Sequence, residues 1–136
     1  MEFVLKNKLS EVQRAADLFE KFGEENGFSL KDVFQINLVL DELISNVINY
    51  GYPKEENREI YLKYIIDENN KLILEIRDDG IPFNILEMKE VDVSLGIDER
   101  PVGGLGIHLV KNIMDEIEYE RKNKQNILTL KKELIL

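Results

Sequence analysis

The chain has 136 residues, 43% of them apolar and 33% charged, with a net charge of −9 and a pI near 4.7. That length makes one domain spanning 1–136 with a real core, and the acid excess argues against nucleic acid or an anionic membrane as the main partner. With no cysteine and a single histidine, His108, disulfides, thiolate chemistry, cysteine-bound zinc and histidine clusters are all excluded.

In chain order, residues 2–5 are expected to form a short strand. Residues Met1 to Lys6 lack the basic lead and apolar run of a signal peptide, and no apolar stretch approaches membrane-spanning length. A cytoplasmic protein is therefore expected. Ser10 to Gln13 read as a capping box, and Val12, Ala15, Ala16, Phe19 and Phe22 mark an amphipathic helix that Gly27 stops. A second start at Ser29 to Asp32 opens a longer helix to about Tyr50, closed by Gly51 and Pro53. Glu59–Ile66 and Lys71–Asp78 read as strands joined by a turn over Asp67–Asn70. Residues 84–102 have poor periodicity and are expected to be a mobile loop with at most one helical turn. A helix follows from about Leu105 to Met114, then a hairpin of Glu116–Arg121 and Ile127–Lys132 around Lys122–Asn126. This order, with no βαβ alternation, predicts an α+β sandwich: helices on one face of a mixed, mostly antiparallel sheet.

The long helix has its core face at Ile36, Leu40, Leu43, Ile44 and Val47. Glu42, Asn46 and Asn49 fall within about 60° of one another on a different stripe, beside Leu38. A solvated face accounts for such residues too, but solvated faces usually mix in cations, and residues 32–53 hold neither Lys nor Arg. Two amides and a carboxylate without a cation suit a site that receives a metal ion. Asn46 offers a neutral oxygen to Mg²⁺, and Glu42 one turn earlier can accept a proton.

In the strand 71–78, Leu72, Leu74, Ile76 and Asp78 share a face, so Asp78 stands on the buried parity. A carboxylate there either caps the loop or serves a ligand, and an exocyclic amine of a base is a suitable donor. Gly80 lets backbone approach a ring closely. Phe83 suits packing on a base, and suits a core or hinge role equally. Gly103, Gly104, Leu105 and Gly106 open the next helix, where amides and the helix dipole favour phosphate. The preceding loop is placed to act as a lid, and Arg100, the only cation within 90–110, reads either as a surface residue or as a contact to a terminal phosphate. Together these features read as an ATP site built without the G-x-x-x-x-G-K-[ST] loop, which is absent.

Three stretches carry a family resemblance: Asp41 to Gly51, Arg77 to Asn84, and Gly103 to Lys111, with the tail Met114 to Arg121. They resemble the N, G1 and G2 boxes of the GHKL (HATPase) superfamily, which includes gyrase and histidine kinases, and most closely its anti-sigma factor serine/threonine-protein kinase branch. The resemblance covers essentially the whole chain. It implies the Bergerat α/β sandwich, with ATP and Mg²⁺ as cofactors. Glu42 would be the general base, Asn46 the Mg²⁺ ligand, and Asn49 a neighbour of the phosphates or ribose. Asp78 would bind the adenine amine and Gly80 shape the base pocket. Gly104 and Gly106 would present backbone to the phosphates, with Gly103 as lid hinge. Pro82 replaces a glycine found in many relatives, and Tyr50 stands where kinase members often carry histidine.

The implied function is transfer of the ATP γ-phosphate to a serine on an anti-sigma factor antagonist, together with binding of a sigma factor. A homodimer is left open, with residues 2–5 as a candidate edge strand. The other reading is an ATP-binding interaction module whose nucleotide state controls partner affinity. Glu42 favours catalysis, because a pure binder needs no base.

Overall fold

A computed structural model describes residues 1–51, 58–87 and 104–134. Its elements are β1 (Glu2–Lys6), α1 (Ser10–Glu25), α2 (Leu30–Asn46), a π-helical turn (Val47–Gly51), β2 (Glu59–Ile66), β3 (Lys71–Asp78), a 3-10 turn (Ile85–Glu87), α3 (Gly104–Ile113), β4 (Glu116–Lys122) and β5 (Gln125–Glu133). The five strands form one sheet in the order β1-β2-β3-β5-β4. Every pairing among the described residues is antiparallel, so the parallel component expected of a mixed sheet is not found there. The rest of the α+β expectation holds, and β1 does lie at an edge.

Period-two alternation sets which face is covered. In β3, Leu72, Leu74, Ile76 and Asp78 are all buried, and in β2 Ile60, Leu62 and Tyr64 are. Against that face pack Ile36, Val39, Leu40, Leu43 and Ile44 of α2, with Ala15 and Phe19 of α1 and Ile107 and Val110 of α3. Tyr64 centres an aromatic group: its ring lies 5.2 Å from Phe19, 5.4 Å from Phe3 and 5.5 Å from Phe22. Its hydroxyl is buried without a hydrogen-bond partner, and burial pushes the phenol's pKa up.

Three local expectations are corrected. The capping box at Ser10 does not form: the chain is already helical at Leu9, so the Ser10 hydroxyl stands inside the helix and caps nothing. Glu11 instead accepts from the Lys6 N–H at 3.1 Å. The long helix keeps its Ser29 cap, which accepts from the Asp32 N–H at 3.1 Å, but leaves the α period at Asn46 and continues as the π-helical turn. The last hairpin turns on only Asn123 and Lys124, both at positive φ (52° and 62°), the arrangement that matches strand twist. Asn126 is therefore a strand residue directly opposite Asp78, and not part of the turn. At the end of α1, Gly27 (φ 74°) does reverse the chain, and the Phe28 N–H donates back to the Gly23 carbonyl at 2.9 Å.

Candidate functional site

Asp78 is the last residue of β3, on the covered face, and only 7% exposed. Its Oδ1 accepts from the Gly80 N–H and from Asn126 Nδ2, each at 3.0 Å. Burial raises its pKa above the usual 3.8; those two hydrogen bonds, with Arg121 nearby, pull it back toward the ionised form. Neither bond uses Oδ2, which leaves that oxygen to a ligand donor.

Asn126, 5% exposed, is the residue the sequence reading missed. Besides Asp78, its Nδ2 donates to the Ile81 carbonyl at 2.8 Å. Its Oδ1 accepts from the Phe83 N–H at 3.3 Å and from the Tyr119 hydroxyl. Two donors and two acceptor positions are thus all used, and the loop after β3 is fixed. Arg121 adds a bond from Nη1 to the Gly80 carbonyl at 2.8 Å, and Arg58 pairs with Asp79 at 3.0 Å. The only sequence signal for Asn126 was indirect: a buried carboxylate requires a donor, and the last strand is where one can stand.

Gly80 makes a close approach, but to protein backbone. A Cβ there would lie 2.3 Å from the Gly51 carbonyl oxygen, and the Ile81 N–H donates to that same oxygen at 2.9 Å. The π-helical turn at the end of α2 is thereby stitched to the loop after β3. Phe83 is half-buried and stacks on Tyr50, with centroids 6.4 Å apart and planes 24° from parallel.

Between these elements lies a narrow cleft of about 40 Å³, room for about three waters at 10–15 Å³ each. Leu43, Val47, Ile76 and Phe83 wall it, and Asp78 and Asn46 are among its polar members. A purine would enter it only as the walls part.

Asn46, 6% exposed, joins this cleft to the second half of the site. Its Nδ2 donates to Glu42 Oε1 at 3.1 Å, so Glu42 and Asn46 do share a face one turn apart. With the amide nitrogen engaged, the oxygen is the end available to a cation. Among the described residues no group of three His, Cys, Asp or Glu is placed to hold a metal by itself. The Asn46 amide oxygen beside the Glu42 carboxylate is an all-oxygen donor set of the kind that Mg²⁺ accepts, the ion being commonly held by one or two protein oxygens with phosphates and water.

Gly104 opens α3 and Leu105 lies in its first turn. Gly106 packs directly on Glu42: a Cβ there would fall 1.8 Å from the carboxyl carbon and from one of its oxygens. The expected phosphate-binding helix start and the expected base are thus in contact. Asn49, by contrast, is exposed in the π-helical turn, whose wider i→i+5 winding breaks the stripe it was expected to share. Arg100, Gly103 and residues 88–102 of the expected 84–102 lid lie outside the described residues. Among the described residues no helix is long and apolar enough to cross a membrane.

The model of the histidine kinase-like ATPase domain matches residues 5–132. The serine-protein kinase RsbW of Listeria monocytogenes is 29% identical over 96 residues, covering 68% of this chain and 60% of the relative. The serine-protein kinase RsbW of Bacillus thuringiensis is 27% identical over 109 residues, covering 77% and 67%. The chain thus spans about two thirds or less of the length of these curated relatives. Among solved structures, the RsbU and RsbW domains of a Mycobacterium tuberculosis protein align with a TM-score of 0.73 at 12% identity, over 98% of this chain and 32% of that one. A blue-light activated histidine kinase of Erythrobacter litoralis aligns with a TM-score of 0.59 at 16% identity, over 79% and 32%. At these identities the two structures show a common fold.

Proposed function

Because the chain belongs to the histidine kinase-like ATPase domain family, we propose that it is an ATP-dependent serine/threonine-protein kinase of the anti-sigma type. The domain spans 1–136, the phosphoacceptor is a serine on a sigma-factor antagonist, and the second protein partner is a sigma factor. The names of the similar proteins, serine-protein kinases, support the reaction class.

The observation that carries the reading is Glu42. A binding module needs Asp78 for the base and Asn46 for the cation, but it has no use for a carboxylate held against the first turn of α3. Asp78 Oδ2 accepts from the adenine amine, the apolar cleft walls cover the ring, and the amides at the start of α3 face the phosphates. Bound there, Mg·ATP would supply the transferable phosphoryl group. Glu42 takes the proton of the incoming serine hydroxyl, and the Asn46 amide keeps Glu42 from rotating away. Arg100, Gly103, Gly104 and Leu105 are assigned to the phosphate end of the same site, and Asn49 to its rim.

The test is transfer of label from γ-labelled Mg·ATP to a candidate antagonist by the purified chain. Glu42→Gln should lower transfer by about 100-fold while leaving ATP affinity, measured by calorimetry, unchanged. Equal transfer by the variant and the parent would support the non-catalytic module instead.

A further inference from the structure

A second face of α2 plays no part in the nucleotide site. Leu30, Phe34, Asn37, Leu38 and Asp41 recur at i, i+4, i+7, i+8 and i+11, one continuous stripe. Leu30 is 89% exposed and Phe34 65%. Beside that stripe, α1 contributes Val12 and Ala16, and the two helices enclose a groove of about 210 Å³. Its apolar part is Val12, Ala16, Phe34, Leu38 and Leu40.

Three polar residues line the groove, and one of them, Gln13, is already engaged, its Nε2 donating to Asp17 Oδ1 at 2.9 Å. Asn37 Oδ1 is buried and has no hydrogen-bond partner. Asp41 supplies a carboxylate at the rim, one oxygen of which accepts from the Ser45 hydroxyl at 3.1 Å, with no cation paired to it among the groove's described lining residues. Among the described lining residues there is neither Lys nor Arg. The orphaned acceptor at depth calls for a hydrogen-bond donor, the anion at the edge for a cation, and the exposed aromatic for an apolar side chain; a cationic donor meets the first two together. The surroundings agree in sign: α1 carries five acidic and two basic side chains, and α2 three and one. The same charge disfavours a second copy of this chain as the occupant, since two such faces would meet with like charge.

We infer that the α1–α2 groove is a docking surface for a basic, amphipathic helical segment of a partner protein. The segment seats apolar side chains against Phe34 and Leu38, and an arginine or lysine one turn away reaches Asn37 Oδ1 and Asp41. This goes beyond the kinase reading and depends on none of its steps.

The probe is a fluorescent synthetic helix of about four turns, with leucine on one face and flanking arginines, compared with the same peptide carrying glutamate for arginine. The arginine peptide should bind the full chain and shift the backbone resonances of Val12, Phe34 and Leu38. The glutamate peptide should bind at least about tenfold more weakly. Phe34→Ser and Asp41→Lys, both at exposed positions, should each lower affinity for the arginine peptide about tenfold or more. ATP affinity should be unaffected by either, so failure of the docking surface is distinguishable from failure of the nucleotide site. Equal binding of the two peptides overturns the inference, even if neither variant folds. An unchanged affinity in a folded Phe34→Ser overturns it as well. A dimer in sedimentation velocity that Phe34→Ser dissolves would overturn it by assigning the face to a second copy.

Discussion

Gly80 and Gly106 stand at opposite ends of the site, and they differ in what lies against them. At Gly80 an added Cβ meets the Gly51 carbonyl oxygen at 2.3 Å and its carbon at 2.9 Å, backbone with nowhere to go. At Gly106 it meets the tip of the Glu42 side chain, which can swing aside. The base end is thus a fixed assembly: buried hydrogen bonds join Asp78 to Gly80 and Asn126, and the Ile81 N–H ties the loop to the Gly51 carbonyl. The phosphate end is one carboxylate, one amide and a bare stretch of helix. Disturbing the backbone junction at the first should cost stability, removing its free carboxylate oxygen should cost nucleotide affinity, and damage at the second should cost turnover.

The largest effect that would break this contrast is at Gly80. Gly80→Ala should destabilise the fold by about 3 kcal/mol in denaturant unfolding, because the clash is with backbone. A variant as stable as the parent would mean the Gly51–Gly80 junction is not fixed. Gly106→Ala should do the reverse. It should leave stability level or raised, since alanine favours a helix over glycine. Phosphoryl transfer should nonetheless fall about 100-fold as Glu42 is displaced from Asn46. If Gly106→Ala keeps full turnover, Glu42 does not act from the position seen.

A third substitution sharpens the contrast within the base end alone. Asp78→Asn keeps an acceptor for Gly80 and Asn126 but replaces the charged oxygen offered to the adenine amine. ATP affinity should fall about 30-fold by calorimetry. The sign of the stability change follows from burial, which raises the Asp78 pKa above 3.8. A raised folded-state pKa means that the folded protein holds the proton more tightly than the unfolded chain. The ionised group therefore costs stability at neutral pH, and that cost fades as pH falls through the raised value. Asp78→Asn should thus be the more stable protein at neutral pH, with its advantage shrinking on acidification. A loss of stability at neutral pH would show that the charge is held favourably.

The two ends were not equally legible in the sequence. Glu42 and Asn46 stand one turn apart, and Asp78 lies on its strand's buried parity; both are local facts of period, and both hold in the fold. What fixes Asp78 is not local. Asn126 lies 48 residues further on, and it meets Asp78 only through the register of β3 against β5. That register depends on a two-residue turn at Asn123 and Lys124, whose positive φ values no Asn-Gly pair announced. The π-helical turn was equally hidden, because residues 47–51 carry an ordinary helical pattern until Gly51 is bonded to Ile81. Ser10 misled for the opposite reason: its motif was complete, but the chain was already helical one residue earlier. The phosphate-side glycines were readable as a helix start, while the contact between Gly106 and Glu42 needed the packing of α3 on α2.

The smallest expected effect tests the idea that lies beneath the contrast, that buried polar groups here earn their place through partners. Asn126 uses every donor and acceptor it has, whereas the Tyr64 hydroxyl is buried in an aromatic cluster with none. A buried hydroxyl without a bond gives up its hydration for nothing, while its ring contributes full packing against Phe3, Phe19 and Phe22. Tyr64→Phe keeps that ring and removes only the oxygen. It should raise stability by about 1 kcal/mol, read as a higher midpoint at unchanged slope in denaturant unfolding, with ATP affinity unaltered. A loss of stability would mean that the hydroxyl is paired in solution, and would put the aromatic end of the sheet in the same class as the base end of the site.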